Sequence, residues 1–526
     1  MRYPTVDQIR SAEQSTGLLD NGVLMGRAAH GLASAILNDL RASGGVYGRR
    51  AGLIVGSGDN GGDALYAGAI LARRGVAVSA LLLAPERAHH GGLAAFRAAR
   101  GRVVRGFETT SGPLDVVVDG VVGIGGNGPL RPDAASAFAA AAADSPDARV
   151  VAVDLPSGVD ADTGVVHDPA VRADLTVTFG VPRRAHVLAA PQCGRIVVVD
   201  IGLDEVPDDA GVTTLASLSD AEVGARWPIP GPTDDKYRQG VVGIVAGSAA
   251  YPGAALLCTG AAVAATSGMT RYAGPAASAV VARYPEVVVA DEPGPVAGSG
   301  ASGTDVAVAG SGASGTDVAV AGSAASGPAV TVAGKVQAWV VGPGFGTGEA
   351  ALARLRTVLA ADVPVLVDAD GITLLARHRD LLAARSAPTL LTPHAGEFAR
   401  LTGEPLAADR VGAVAACAAD LGATVLLKGR ATLIASPPGD VDGGAVLVNE
   451  AGSSWAATAG SGDALSGIVG ALLATGLRPA LAAAMGARAH SVAAHIAAGS
   501  PGAPIGASAL VTAISDAIRL LRSKAG

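Results

Sequence analysis

Near the C-terminal end, Thr458-Ala459-Gly460-Ser461-Gly462-Asp463-Ala464 runs into an apolar stretch of helical character from Leu465 to Thr475. A helix N-terminus carries unpaired N–H groups and the positive end of the helix dipole, so it holds anions such as phosphate. Glycine lets the backbone come close to the phosphate. Asp463, in the same turn, can take a proton from a substrate hydroxyl while the amides hold the phosphoryl group. The plainer alternative is an N-cap aspartate after a glycine turn.

Other segments of the second half add to that turn. Lys428-Gly429-Arg430-Ala431-Thr432 follows the strand-like run Ala423–Leu427, so its lysine and amides can hold nucleotide phosphates. His394 and Glu397 end another strand-like run, and Gly342–Gly346 forms a tight glycine turn suited to a ligand. Asp368 and Asp370 offer carboxylates for magnesium or its waters, or cap a strand end.

The first half has three loops of its own. Asp59-Asn60-Gly61-Gly62-Asp63 reads as a glycine-rich loop between a strand and a helix. Asp119 ends a strand and is followed by Gly123-Ile124-Gly125-Gly126-Asn127-Gly128-Pro129. Asp154 ends the next strand, within Asp154–Asp160. Such loops can cradle phosphate, and oxygens of Asn60, Asp119 and Ser157 suit a hard cation. The alternative is turn residues that satisfy local backbone groups.

Elements of one kind must position these groups. From Gly52 onward β-branched runs alternate with helical ones, which predicts an α/β, doubly wound parallel sheet with ligands beyond the strand ends. At 526 residues the chain exceeds one core, so two or three domains are expected. Asp-, Pro- and Gly-rich text at 204–235 marks a junction. We expect one domain over 1–210, a linker at 211–227 and a second domain over 228–526. Hydrophobic residues make up 49% but aromatics only 3%, as in strands and helices rich in Ala, Val and Leu. A net charge of −7 gives no nucleic-acid surface. Three scattered cysteines, a polar Met1–Arg10 and no long apolar run lead us to expect a cytoplasmic protein without a membrane span. The sequence VAGSGASGTDVA stands at 296–307 and again at 308–319, with a partial copy from Val320. Lacking large side chains, 293–330 reads as a mobile loop or irregular hairpin inserted in the second domain.

Residues 1–205 resemble the NAD(P)H-hydrate epimerase family, the YjeF N-terminal domain, in GSGDNGGDALYAG, VVDGVVGIGGNGPLR and AVDLPSGVDADTG. The resemblance implies a Rossmann-like fold that interconverts R- and S-hydrates of NADH and NADPH. It places Asp59, Asn60, Gly61, Gly62, Asp63 and Gly123, Ile124, Gly125, Gly126, Asn127, Gly128, Pro129 on the substrate and Asp154 at the reacting centre. Potassium would lie on Asn60, Asp119 and Ser157. Asp59 stands where the family usually has Asn, and Ala64 where it has Gly.

Residues 228–525 resemble the ADP-dependent NAD(P)H-hydrate dehydratase family, with a ribokinase-like fold, in VVGPGFGTG, LTPHAGEFARL, LLKGRATLI and ATAGSGDALSGIVGALL. The resemblance implies that ADP phosphorylates the S-hydrate and that loss of phosphate restores the nicotinamide. It places Lys428, Gly429, Arg430, Ala431, Thr432 and Gly462 on the nucleotide, and Ala262, Gly344 or Gly346, His394 and Asp463 on the hydrate. Ser461 replaces the commoner Thr. The expected partners are NADHX or NADPHX, ADP and magnesium, and a homo-oligomer is expected. The alternative is a small-molecule kinase fused to a non-catalytic binding module.

Overall fold

The computed structural model describes all residues except 20–21, 108–111, 124, 127, 204–205, 207–210, 291–335 and 440–443. The repeat insertion expected at 293–330, and Ile124 and Asn127 of the expected substrate loop, lie outside the described residues.

The chain opens on a two-residue strand, β1 (Arg2–Tyr3). A seven-stranded sheet follows, built from β2 (Arg50–Val55), β3 (Ala77–Leu82), β4 (Arg102–Val104), β5 (Val116–Gly120), β6 (Arg149–Val153), β7 (Leu175–Phe179) and β8 (Arg195–Val199). Its order is β4-β3-β2-β5-β6-β7-β8, and every pairing is parallel. Parallel strands are covered on both faces, which is why β5 and β7 are buried throughout, Asp119, Thr176 and Thr178 included. Helices Val23–Ala42 and Asp59–Arg73 supply Leu32, Ile36, Leu65 and Leu71 to one face, against Leu53, Val118 and Val151. Phe107, Leu114 and Ala141 cover part of the other. The strand order reverses between β2 and β5, and a Rossmann-like sheet opens its ligand crevice at that point.

The second sheet has eleven strands. It takes in β1 and nine further strands after β9 (Leu215–Ala216): β10 (Val241–Val245), β11 (Met269–Tyr272), β12 (Val288–Val289), β13 (Ala338–Val341), β14 (Val365–Val367), β15 (Thr389–Leu391), β16 (Thr424–Leu427), β17 (Ala431–Ala435) and β18 (Val446–Glu450). The order is β1-β9-β18-β17-β16-β15-β14-β13-β10-β11-β12, with β16, β17 and β18 joined antiparallel and the run from β16 to β12 parallel. Helices Pro252–Ala265, Ser461–Ala474, Pro479–Ala498 and Ala507–Ser523 cover one face. Helices Glu349–Leu359, Ala395–Thr402 and Arg410–Leu421 cover the other. Gly467 lets helices Pro252–Ala265 and Ser461–Ala474 touch, since a Cβ there would lie 2.1 Å from the carbonyl oxygen of Cys258.

The segment 211–227, expected as a linker, is structured. It contributes β9, which pairs with both β18 and β1, and the helix Asp220–Arg226. Leu215, Val223 and Trp227 are buried, and Trp227 Nε1 donates to the Ala265 carbonyl at 3.0 Å. Polar and Pro-rich neighbours hid these three apolar anchors in the sequence. Among the described residues no helix is long and apolar enough to cross a membrane.

Candidate active sites

The expected loop Asp59–Asp63 is instead the first turn of helix Asp59–Arg73, directly after β2. Its glycines serve packing. A Cβ on Gly61 would come 2.4 Å from the Gly56 carbonyl oxygen, and one on Gly62 would come 3.0 Å from the His89 ring. The turn still presents a helix N-terminus to the crevice, so anion binding does not need a separate loop.

Three loops are clasped together there. Asp119 is fully buried; its Oδ2 accepts the Ser157 N–H at 2.7 Å, and its Oδ1 accepts the Ser157 hydroxyl at 2.7 Å. Ser157 Oγ in turn accepts the Val122 N–H at 3.1 Å. Asn60 Nδ2 donates to the carbonyls of Val153, 2.6 Å, and Val122, 3.4 Å. Asn60, Asp119 and Ser157 are therefore brought together. Burial raises the Asp119 carboxyl to about 6 although those hydrogen bonds pull it down. No Lys or Arg among the described residues pairs with it. A cleft of about 730 Å³ opens in front, walled by Asp59, Asn60, Gly123, Gly126, Gly128 and Ser157 among others.

Asp154 lies behind that cleft, 3% exposed, with φ at +64°. Asp63, also buried, is raised well above the carboxylate range by burial, then by Asp154, Asp59 and Glu13. Arg183 forms an ion pair with Asp154 at 3.0 Å. Arg183, Thr178 and His186, all in contact with Asp154, were missed in the sequence. The signal available was a polar Thr178 in an apolar strand, followed by Arg183-Arg184-Ala185-His186.

In the second site Asp463 falls in the first turn of helix Ser461–Ala474, after Gly460 at φ +82°. Lys428, at the end of β16, stands beside this turn: a Cβ on Gly462 would lie 3.4 Å from its Nζ. Lys428 is held by Asp368 at 2.7 Å and by Glu397 at 3.6 Å, and the other Asp368 oxygen accepts the Ser466 hydroxyl at 2.8 Å. Burial alone would lower Lys428, but Asp368 and Glu397 outweigh it and raise the ammonium. Asp463 is pushed up to about 7 by burial and then by Asp368, with Lys428 pulling it partly back.

Gly344 and Gly346 adopt φ of +58° and +83°, a turn that favours glycine, and the Gly346 N–H donates to Asp370 at 2.9 Å. His394 caps helix Ala395–Thr402 through Nδ1, which accepts the Gly396 N–H at 2.9 Å, and leaves its ring exposed. Gly429 and Arg430 form the tip of the β16–β17 hairpin. Ala431 and Thr432 are buried in β17, where the Thr432 hydroxyl donates to the Gly429 carbonyl at 3.0 Å. Ser461 turns inward to the buried His490, 3.0 Å away. Ala262 is 1% exposed in the core between the helices, not at the crevice surface.

Residues 242–518 match the family model described as NAD(P)H-hydrate dehydratase, and 21–185 match that of the YjeF-related protein N-terminus. A bifunctional NAD(P)H-hydrate repair enzyme of Mycobacterium tuberculosis is 54% identical over 92% of this chain and 91% of its own. One from Mycobacterium leprae is 52% identical over 99% of both chains. Among solved structures, an ADP/ATP-dependent NAD(P)H-hydrate dehydratase from Bacillus subtilis aligns with a TM-score of 0.45 and 23% identity, over 58% of this chain and 98% of that one. The two α/β sheets, the two family models and the curated relatives together define an α/β enzyme with an epimerase half and a dehydratase half. The chain belongs to the family of bifunctional NAD(P)H-hydrate repair enzymes.

Proposed function

We propose that this protein epimerises the R- and S-hydrates of NADH and NADPH in its first domain, 1–210, and dehydrates the S-hydrate with ADP in its second, 228–526. The observation that carries the reading is Asp463 in the first turn of a helix, beside Lys428, with Gly344, Gly346 and His394 on neighbouring loops.

In the dehydratase half Asp463 takes the proton of the C6 hydroxyl, and that oxygen attacks the terminal phosphoryl group of ADP. AMP departs. Amides of the Gly460–Asp463 turn hold the developing charge, and Lys428 to Thr432 hold the nucleotide. Loss of the phosphate and a ring proton restores the dihydropyridine. Asp368 is engaged by Lys428 and Ser466; Asp370, which accepts the Gly346 N–H on one oxygen, would be the carboxylate to hold a magnesium ion, which would supply positive charge to the phosphates.

In the epimerase half Asp154 is the acid/base group. Asp119 is a buried carboxylate that pairs with no cationic side chain among the described residues, a donor set that fits potassium; Asn60, Asp119 and Ser157 would hold it. Potassium would supply positive charge that ties the three loops together. A cytoplasmic setting suits the three buried free thiols.

Incubation with NADHX and ADP tests the whole. NADH absorbance should return together with AMP and free phosphate. Accumulation of a stable phosphoester without NADH would point to a kinase instead.

A further inference from the structure

Asp154 is gripped at three places. Its N–H donates to the Val177 carbonyl at 2.8 Å. Its own carbonyl accepts Nε2–H of His186 at 2.8 Å, and Nδ1 of that ring accepts the Arg183 N–H at 2.9 Å. That pair of bonds puts the ring proton on Nε2. Its carboxylate receives two donors on the same oxygen: the Thr178 hydroxyl reaches Oδ1 at 2.8 Å and Arg183 Nη2 reaches it at 3.0 Å. Among the described residues Oδ2 makes no hydrogen bond or ion pair.

Arg183 is itself fixed. It is 2% exposed, and its Nη1 donates to the Val181 carbonyl at 3.0 Å. A non-glycine residue keeps a left-handed backbone such as that of Asp154 only where its surroundings hold it there. A guanidinium with a planar fork of donors holds a carboxylate in one orientation better than a flexible ammonium does.

We infer that Arg183 is a positioning residue for epimerisation: with Thr178 it saturates Oδ1 of Asp154, while His186 fixes the Asp154 backbone, and Oδ2 is left as the oxygen that exchanges a proton with the hydrate. The inference rests on the reading of Asp154 as the acid/base group.

The test uses the full chain, the R-epimer of NADHX, and chromatography that resolves the two epimers. Arg183→Gln should lower kcat for interconversion about 10- to 100-fold with KM nearly unchanged, the mark of lost orientation. Arg183→Lys should recover part of the loss. ADP-dependent recovery of NADH from the pure S-epimer reports that the variant is folded. Full kcat in Arg183→Gln, or a rise in KM alone, overturns the inference. If that variant does not fold, Thr178→Val decides: it should lose several-fold in kcat, and an unchanged kcat overturns the inference equally. Asp154→Asn is measured in parallel. If it still epimerises, the acid/base reading fails and the inference with it. If it is inactive while Arg183→Gln is fully active, only the positioning role fails.

Discussion

Asp154 is buried and Asp463 half-buried, each with a cation close by, yet the two cations are used differently. Arg183 faces Asp154 directly, at 3.0 Å. Lys428 gives its short contact, 2.7 Å, to Asp368, so Asp463 feels burial and Asp368 more than it feels the lysine. The nearness of a positive charge therefore does not set the state of a carboxylate. For Asp463, burial and the acid that shares the lysine, Asp368, outweigh it. One site holds its acid/base group in a fixed grip; the other holds a carboxyl poised near neutrality, where a general base works best.

The largest effect expected is on the poised carboxyl. Asp463→Asn keeps the shape of the side chain, and the helix cap at Gly460 does not involve it, but asparagine is a poor proton acceptor. ADP-dependent NADH recovery should fall about 10²- to 10⁴-fold, with R/S interconversion unchanged. Near-normal recovery would remove Asp463 from the role of base.

Lys428→Met breaks the shared cation. It leaves Asp368 and Glu397 unpaired, and breaking a buried pair costs about 3–5 kcal/mol. Urea unfolding should register a loss of that order. Unchanged stability would mean that the lysine does not hold these acids. Asp119→Ala should slow epimerisation about tenfold and remove its response to added potassium, while dehydration of the S-hydrate persists. Equal epimerisation by the parent in potassium-free buffer would contradict the cation site.

The pH dependence sharpens the contrast. With the folded Asp463 carboxyl near 7, kcat/KM for dehydration should fall as pH drops through about 7. Stability follows the opposite sign. Below about pH 4 the group is protonated folded and unfolded alike. Between there and about 7 the folded state binds more protons, so stability is lost as pH rises, and above 7 the loss is complete. Asp463→Asn should therefore raise the melting temperature at pH 8 relative to the parent, and by less at pH 5. The smallest effect belongs to the repeats: replacing 296–327 with a short Gly/Ser turn should leave both activities within a few-fold. A large loss of dehydratase activity would show that the segment serves the second site.

What the sequence made legible was local. Asp463 follows three small residues and precedes an apolar helix, so its position at a helix start could be read directly. Asp119 closes a recognisable strand, and Asn60 and Ser157 follow shortly after two others. The loop expected at 59–63 is a helix turn, because glycines that pack closely against Gly56 and His89 look in sequence like those of a phosphate loop. Arg183 and His186 escaped because only the pairing of β6 with β7 brings their segment beneath Asp154. The strand Arg2–Tyr3 is too short to show any periodicity, and its partner lies more than two hundred residues away. Val187 and Leu188 are likewise buried in the second core, where Arg410 donates to the Leu188 carbonyl at 2.9 Å. No local pattern announces such a contact.

Two variants, given the pure R-epimer of NADHX with ADP, test the division of labour most directly. The parent should convert all of it to NADH. Asp463→Asn should equilibrate the epimers and release almost no NADH. Asp154→Asn should accept the S-epimer normally but leave the R-epimer at its uncatalysed rate. If either variant loses both activities while remaining folded, or if Asp154→Asn converts the R-epimer as fast as the parent, the assignment of one carboxylate to each half is contradicted.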